Sequence, residues 1–344
     1  MVGVSVDVLV PSDVISDLGD AARGHRLVPF AKVPRGLRLG REQWSLPWRF
    51  GAYPRSLRLL HSVLGVAPLL SAIPLVLTVP DLVYRARPDD LHPRARWYFG
   101  TLGPLSIRRA RRVMVSSNAI CRQVIDLYHI APERVIYVPL CADAIFTPRP
   151  AEEIAMVRKR FGLPERYVLH VGTVDPRKDL TRLRAAYELL PPDLADDSAL
   201  VFVGRVNRGA ERLARQLGQP GPRGHVIALD YLPRDFLPAI YSGAAVFVYP
   251  SRYEGFGLPV LEAMACGAPV IVSSADALVE LVDDAGVVLR TESVEELTQA
   301  MERLLRFEKE QQRLHHAGLK RSTAFTVERL GRETAEVYRQ ALAA

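Results

Sequence analysis

Cysteine is scarce in this chain, with three in 344 residues, at Cys121, Cys141 and Cys266. An odd, widely spaced set offers neither a disulfide framework nor the paired spacing of a zinc site, so the thiols read as reduced and cytoplasmic. Cys266 lies near a helix end and reads as core. No basic segment leading into an apolar run opens the chain, so no secretory leader is expected. Long apolar runs are also rare. The uncharged run Ser62–Pro80, 19 residues, has membrane-spanning length but is cut by Gly65, Pro68, Pro74 and Pro80. It reads as two buried pieces, the second a parallel-sheet strand over Leu75–Val79. No Asp-x-Asp occurs, and the eight histidines fall in no acid–base or metal spacing.

Lysine is nearly missing from the first 150 residues. They hold 20 Lys and Arg, 19 of them Arg, against 11 Asp and Glu, a net of +9. The remainder holds 25 against 27, a net of −2. A basic half favours an anionic partner. No nucleic-acid-binding motif is present, so nucleic acid is not expected. An anionic membrane surface fits better, and plain solubility is the simpler alternative. With 49% hydrophobic and 24% charged residues, the chain can bury a full core, and its length suits two domains.

Short β-branched runs alternate with helical segments, which argues for parallel α/β layers. In the first half, strands are expected at Val4–Val10, Leu75–Val79, Arg112–Val115 and Val135–Val138. Helices are expected at Leu105–Arg111 and Ala119–His129, the latter capped by Ser117 or Asn118. Phe146-Thr147-Pro148-Arg149-Pro150 reads as a linker. In the second half, strands are expected at Tyr167–Val171, Ala199–Val203, His225–Ala228, Val246–Tyr249 and Pro269–Val272. Helices fall near 152–161, 179–190, 209–217, 233–242, 258–265, 277–282 and 294–308. A last helix over about 326–342 carries Leu330, Val337, Tyr338 and Leu342 on one side. The division is 1–148, 149–325 and 326–344, with ligand beyond the strand C-termini.

The densest chemistry lies in Pro250–Gly267. Glu254 and Glu262 stand eight residues apart around a glycine turn and a short helix. Pro259 suits the first helical position and places Glu262 in the first turn. Gly267 supplies a left-handed stop. Gly255 and Gly257 let the backbone approach a ligand, and the helix N-terminus offers free N–H groups to phosphate. Amides suited to a diphosphate, flanked by carboxylates suited to hydroxyls, describe a nucleotide sugar. Arg177 and Lys178 follow a strand and a Pro176 turn, and two cations there can neutralise a diphosphate.

This stretch resembles the E-x7-E signature of the retaining glycosyltransferases of family 4, whose GT-B fold sets two Rossmann-like domains across a cleft. The resemblance continues through Ala268–Ser273 and Ala277–Val282, begins earlier at Tyr167–Leu180, and covers most of residues 110–310. It implies transfer of a mannose- or glucose-type hexose from a UDP- or GDP-sugar to a glycan or a polyprenyl- or other lipid-linked acceptor. The donor is a substrate; no cofactor and no metal are implied. By the same resemblance Lys178 contacts the donor diphosphate with Arg177 beside it, Glu262 binds ribose hydroxyls, and Glu254 with the amides of Gly255, Phe256, Gly257 and Leu258 faces sugar and phosphates. Thr173 holds a position where relatives often have Arg. Tyr231 and Leu232 match the base pocket, and Gly204 turns the chain near the nucleotide. The last helix is implied to cross back onto the first domain.

The first half departs from the family pattern. Pro80 stands where relatives have a histidine near the donor sugar. Val10-Pro11-Ser12-Asp13 lacks the expected glycine loop. Cys141 and Asp230 each replace a usual glycine. Asp81 is either structural or in contact with acceptor. These departures motivate a second reading, a catalytically impaired nucleotide-sugar-binding partner of another transferase. A third is a nucleotide-sugar epimerase on the same fold. The transferase reading places the protein in the cytoplasm, peripheral on the inner membrane face. It also expects that Lys178 can be removed with little loss of fold.

Overall fold

The computed structural model describes residues 7–11, 26–30, 43, 58–207, 209–219 and 225–344. Strands β1 (Asp7–Pro11) and β2 (Arg26–Phe30) pair in parallel. A four-stranded sheet follows, with β3 (Leu60–Ser62), β4 (Leu75–Val79), β5 (Arg112–Val115) and β6 (Val135–Tyr137) side by side and parallel. The second large sheet holds β7 (Tyr167–Val171), β8 (Ala199–Val203), β9 (His225–Leu229), β10 (Val246–Tyr249), β11 (Val270–Val272) and β12 (Val287–Val288). Its order is β12-β11-β10-β7-β8-β9, all parallel. Strands β7, β8, β10 and β11 are buried along their whole length, as expected for continuous apolar runs covered on both faces. The order reverses between β7 and β10. In such sheets that switch point opens a crevice at the strand C-termini.

The last helix, Val327–Ala343, returns to the first sheet. Its Val337 and Ala341 are buried with Val76, Met114 and Val138. Tyr338 Oη meets His61 Nδ1 at 2.7 Å, and His61 Nε2 meets Thr78 Oγ1 at 2.7 Å. Burial pushes His61 down to about 4, so this link uses a neutral imidazole.

Several boundaries differ from expectation. Of the two buried pieces expected in Ser62–Pro80, the second is the buried parallel strand Leu75–Val79, but the first is partly exposed. Val63, Leu64 and Leu70 are 58%, 58% and 62% exposed, because β3 is a three-residue edge strand and in the loop beyond it Val66, Ala67, Pro68 and Ser71 are the buried residues. The expected helix 105–111 is the end of a 17-residue helix, Pro93–Arg109, hidden in the sequence by Gly100, Gly103 and Pro104. Phe146 is not linker: it is buried edge-on against Tyr241, centroids 5.9 Å apart. The helix expected to 308 stops at Arg306, and Glu308–Ser322 forms another. Ser117 is the cap of Asn118–Tyr128, accepting from the Ile120 N–H at 3.2 Å. Residues 4–6 of the first expected strand, and Ser12 and Asp13 of the glycine-free loop, lie outside the described residues. Among the described residues no helix is long and apolar enough to cross a membrane.

Candidate functional site

The loops leaving β7 and β10 meet at the switch point. After β7, Asp175 caps a short 3-10 turn, Pro176–Lys178, by accepting from the Arg177 N–H at 3.0 Å. Its other oxygen accepts from Asn207 Nδ2 at 2.6 Å. The loop after β10 is fastened to this turn: the Arg252 N–H donates to Arg177 O at 3.0 Å. Below, Asp179 holds both Arg182 (2.7 Å) and Arg252 (3.1 Å), and Arg182 also donates to Pro250 O at 3.1 Å. Arg182 and Asp179 are buried, so the pair is anchored and desolvated rather than loosely solvated.

This frame brings Lys178 and Glu254 together. Lys178 Nζ lies 2.5 Å from Glu254 Oε1 and 2.5 Å from Tyr249 Oη. Ser251 Oγ donates to the same carboxylate oxygen at 2.5 Å, and Arg177 Nη1 lies 3.8 Å from Oε2. The side chains of Lys178 and Glu254 are 8% and 10% exposed. Burial pulls the lysine down, and the carboxylate opposes that fall. Tyr249 stacks on His170 with centroids 5.4 Å apart. His170 donates from Nδ1 to Val248 O at 3.0 Å and is pushed by burial to about 3, so it is neutral. Arg177, Lys178, Thr173, Asp175, Asn207 and Tyr249 line a cavity of about 360 Å³ at the switch point. Two cations, Arg177 and Lys178, stand on its wall, both facing Glu254, with Asp175 beside them.

Glu262 is further along the helix Leu258–Ala265 than expected. Gly257, at φ 109°, is the N-cap and Leu258 the first helical residue, so Pro259 is second and Glu262 lies beyond the first turn. Its Oε2 accepts from Tyr241 Oη at 3.0 Å. Burial pushes its carboxyl up to about 7. If a ribose diol donates to this carboxylate, binding favours its ionised form and lowers that value. The affinity is therefore expected to rise as pH climbs from about 6 to 8, with proton release on binding. Calorimetric titration with a nucleoside diphosphate in buffers of different ionisation enthalpy checks this; a flat profile would remove Glu262 from the ribose contact.

The first domain closes against the same loop. A Cβ on Gly255 would fall 1.8 Å from Pro80 O. Ser116 Oγ donates to Gly255 O at 3.1 Å. Tyr253 Oη accepts from the Leu82 N–H at 2.9 Å and donates to Gln123 Oε1 at 3.0 Å. Glu280 accepts from Asn118 N, Asn118 Nδ2 and Ala119 N at 2.9, 2.6 and 3.2 Å, which places a carboxylate on a helix N-terminus of the first domain. Asp81 Oδ1 accepts from the Val83 N–H at 3.0 Å.

Other expectations change. Gly204, at φ 150°, turns the chain, and its missing Cβ makes room for Gly172 O, 2.0 Å from where that atom would be. Gly255 likewise answers the backbone of Pro80. The Phe256 side chain is turned into the core against Phe325, so only its backbone can face the crevice. Leu232 is buried, whereas Tyr231 is exposed with the Arg205 guanidinium 4.1 Å over its ring. Tyr249, Ser251, Tyr241 and Tyr253 were not singled out in the sequence. Tyr249 ends a strand and Ser251 and Tyr253 flank Glu254, whereas Tyr241, inside the helix Leu237–Ser242, carries no such signal.

Comparison with known proteins agrees with this geometry. The family model for glycosyl transferases group 1 matches residues 152–321. O-antigen chain mannosyltransferase B of Escherichia coli is 33% identical over 237 residues, 68% of this chain and 62% of that protein. The chain thus spans less than two thirds of that relative's length. The MMP alpha-(1->4)-mannosyltransferase of Mycolicibacterium hassiacum is 31% identical over 72% of this chain and 59% of its own. The crystal structure of HepE from Anabaena in complex with UDP and glucose superposes with TM-score 0.78 at 19% identity, over 96% of this chain and 91% of that one. With its two Rossmann-like sheets the chain has the GT-B fold, and its residues 152–321, which contain both glutamates and Lys178, belong to the group 1 glycosyl transferases.

Proposed function

We propose that the protein transfers a mannosyl residue from a nucleoside-diphosphate sugar to a glycan acceptor of the cell envelope, with retention at the anomeric carbon. The observation carrying this reading is the Lys178–Glu254 pair, held by Tyr249 and Ser251 with Arg177 beside it, on a cavity at the β7/β10 switch point. The choice of mannose rests on the mannosyltransferase relatives. Lys178 and Arg177 hold the diphosphate and neutralise it as it leaves. Glu262 holds the ribose, and amides of the Gly255–Leu258 turn face phosphate and sugar. The bond from C1 to the diphosphate oxygen breaks while the acceptor oxygen bonds C1 on the same face. The acceptor proton passes to the departing phosphate. Incubation with GDP-mannose, UDP-glucose and a mannose-terminated glycan tests this: mannosyl product with retained configuration is expected, and an inverted product would refute the scheme.

The positive field comes from Arg177 and Lys178, so turnover is proposed to be independent of divalent metal. Excess EDTA should leave the initial rate within about twofold, against the several kcal/mol that a catalytic metal supplies. A rate that collapses and returns with magnesium contradicts this. The arginine-rich first domain is proposed to bring the protein to anionic membranes bearing lipid-linked acceptors. One observation favours a second reading, a nucleotide-sugar-binding partner subunit: Pro80, whose backbone O faces Gly255 at the domain contact, has a side chain that can neither donate nor accept. Nucleotide binding with no transfer to any glycan would select that reading.

A further inference from the structure

A second concavity, about 720 Å³, opens on the first domain. It lies between the segment after β4, the start of the helix Pro93–Arg109, and one side of the helix Asn118–Tyr128. The segment after β4 and the helix Asn118–Tyr128 both leave C-terminal ends of strands in the first sheet, the end that meets the second domain's loops. Tyr84 forms the buried floor, its hydroxyl shared with that of Tyr128 at 2.9 Å. Trp97 stands in the wall 57% exposed, with Leu127 also exposed along the same groove. An indole left in water inside a concavity is a platform without a cover. Arg85 and Arg96 reach the same space. Among the described residues Arg85 has no ion pair, and Arg96 has only the solvated Asp89 at 3.4 Å. Gln123 also lines the groove, and its carboxamide accepts from Tyr253, the residue before Glu254. The groove and the loop carrying the charged pair are therefore joined through one side chain.

We propose that this groove is the acceptor subsite and that it takes a pyranoside bearing a phosphate. The apolar face of the sugar lies on Trp97, and the phosphate lies between Arg85 and Arg96. An aromatic plane offers a rigid surface to a sugar's C–H face, and guanidinium forks match phosphate oxygens bidentately. The volume suits a ligand of disaccharide size. The net charge of the two arginines exceeds that of Asp89, which leaves an uncompensated positive field for an anionic ligand. The inference rests on the transferase reading and gives its acceptor a place and a chemistry. The phosphate can belong to a free sugar phosphate or to a lipid headgroup.

Equilibrium binding to the full chain tests this without requiring turnover. The probes are mannose 1-phosphate, a dodecyl mannosyl phosphate in micelles, and uncharged methyl mannoside. Tryptophan emission of the wild type should change saturably with a phosphorylated probe, and that change should be absent in Trp97→Phe. Trp97→Ala should weaken binding about three- to tenfold, and Trp97→Phe should restore most of it. Arg85→Ala with Arg96→Ala should erase the preference for phosphorylated over uncharged probes. A response to mannose 1-phosphate identifies a soluble source, and a response to the dodecyl probe alone identifies a lipid source; either supports the subsite. No saturable response to either, or unchanged binding in Trp97→Ala, overturns it. The midpoint shift with GDP or UDP is followed in parallel and should be the same in every variant. Its absence from the wild type counts against the transferase reading itself.

Discussion

Lys178→Met should lower turnover about 10²- to 10³-fold, the cost typical of removing one preorganised group that stabilises developing charge. It should also lower stability, unlike loss of an ordinary surface lysine. Lys178 and Glu254 are almost wholly enclosed and 2.5 Å apart. Removing the cation leaves a desolvated carboxylate with only Ser251 and the more distant Arg177. Breaking one side of such a pair costs about 3–5 kcal/mol. The double change Lys178→Met with Glu254→Gln separates the two effects. It removes both charges, so most of the stability should return while turnover stays low. Denaturant melts together with initial rates check this. Recovery of turnover in the double variant would show that Lys178 serves only to neutralise Glu254.

Gly255→Ala should be the second severe change, for a different reason. The added methyl meets Pro80 O of the other domain at 1.8 Å, with Asp81 Cβ 3.0 Å away. Backbone cannot yield as a flexible side chain can, so the variant must hold the domains apart at this point. Opening breaks the Ser116–Gly255 bond and pulls Tyr253 from Leu82 and Gln123. The second domain keeps its core, which is formed by its own strands and helices. Nucleotide binding is therefore expected to survive, while transfer falls at least about 100-fold, as a misplacement of roughly 1 Å in a reacting pair can impose. A titration with nucleoside diphosphate beside a transfer assay reads both. Near-normal transfer would show that the closed contact is dispensable; lost nucleotide binding would show that Gly255 serves the donor directly.

That glycine also marks where the sequence stops being legible. The strands of the second sheet follow from apolar runs, and Tyr167–Val171, Ala199–Val203 and Val246–Tyr249 are read at their observed bounds. Glu254, Glu262, Arg177 and Lys178 stand out because charged residues beside glycine and proline turns are locally conspicuous. Their pairing is not readable, since Lys178 and Glu254 are 76 residues apart and meet only through the adjacency of β7 and β10. The expectation that Lys178 can be removed with little harm to the fold conflicts with its buried pairing for that reason. Tyr249 and Tyr241 look like core residues in sequence, and each does have a buried ring, but each hydroxyl grips one charged member of the site. Gly204 and Gly255 each leave room for a neighbouring backbone, Gly172 O and Pro80 O, that lies far away in sequence, because a missing Cβ does not reveal what occupies its place.

The crevice between β7 and β10 is proposed to hold a nucleoside diphosphate through Glu262 and the cations of Arg177 and Lys178. Thermal denaturation of the wild type and of Glu262→Ala, each with GDP, UDP and ADP, tests it most directly. Ligand at about 100 times its Kd adds roughly 2.7 kcal/mol. The midpoint of the wild type should rise with one base, and that of Glu262→Ala should rise little or not at all. A wild type unmoved by every nucleotide, or a Glu262→Ala variant that shifts as fully as the wild type, would contradict it.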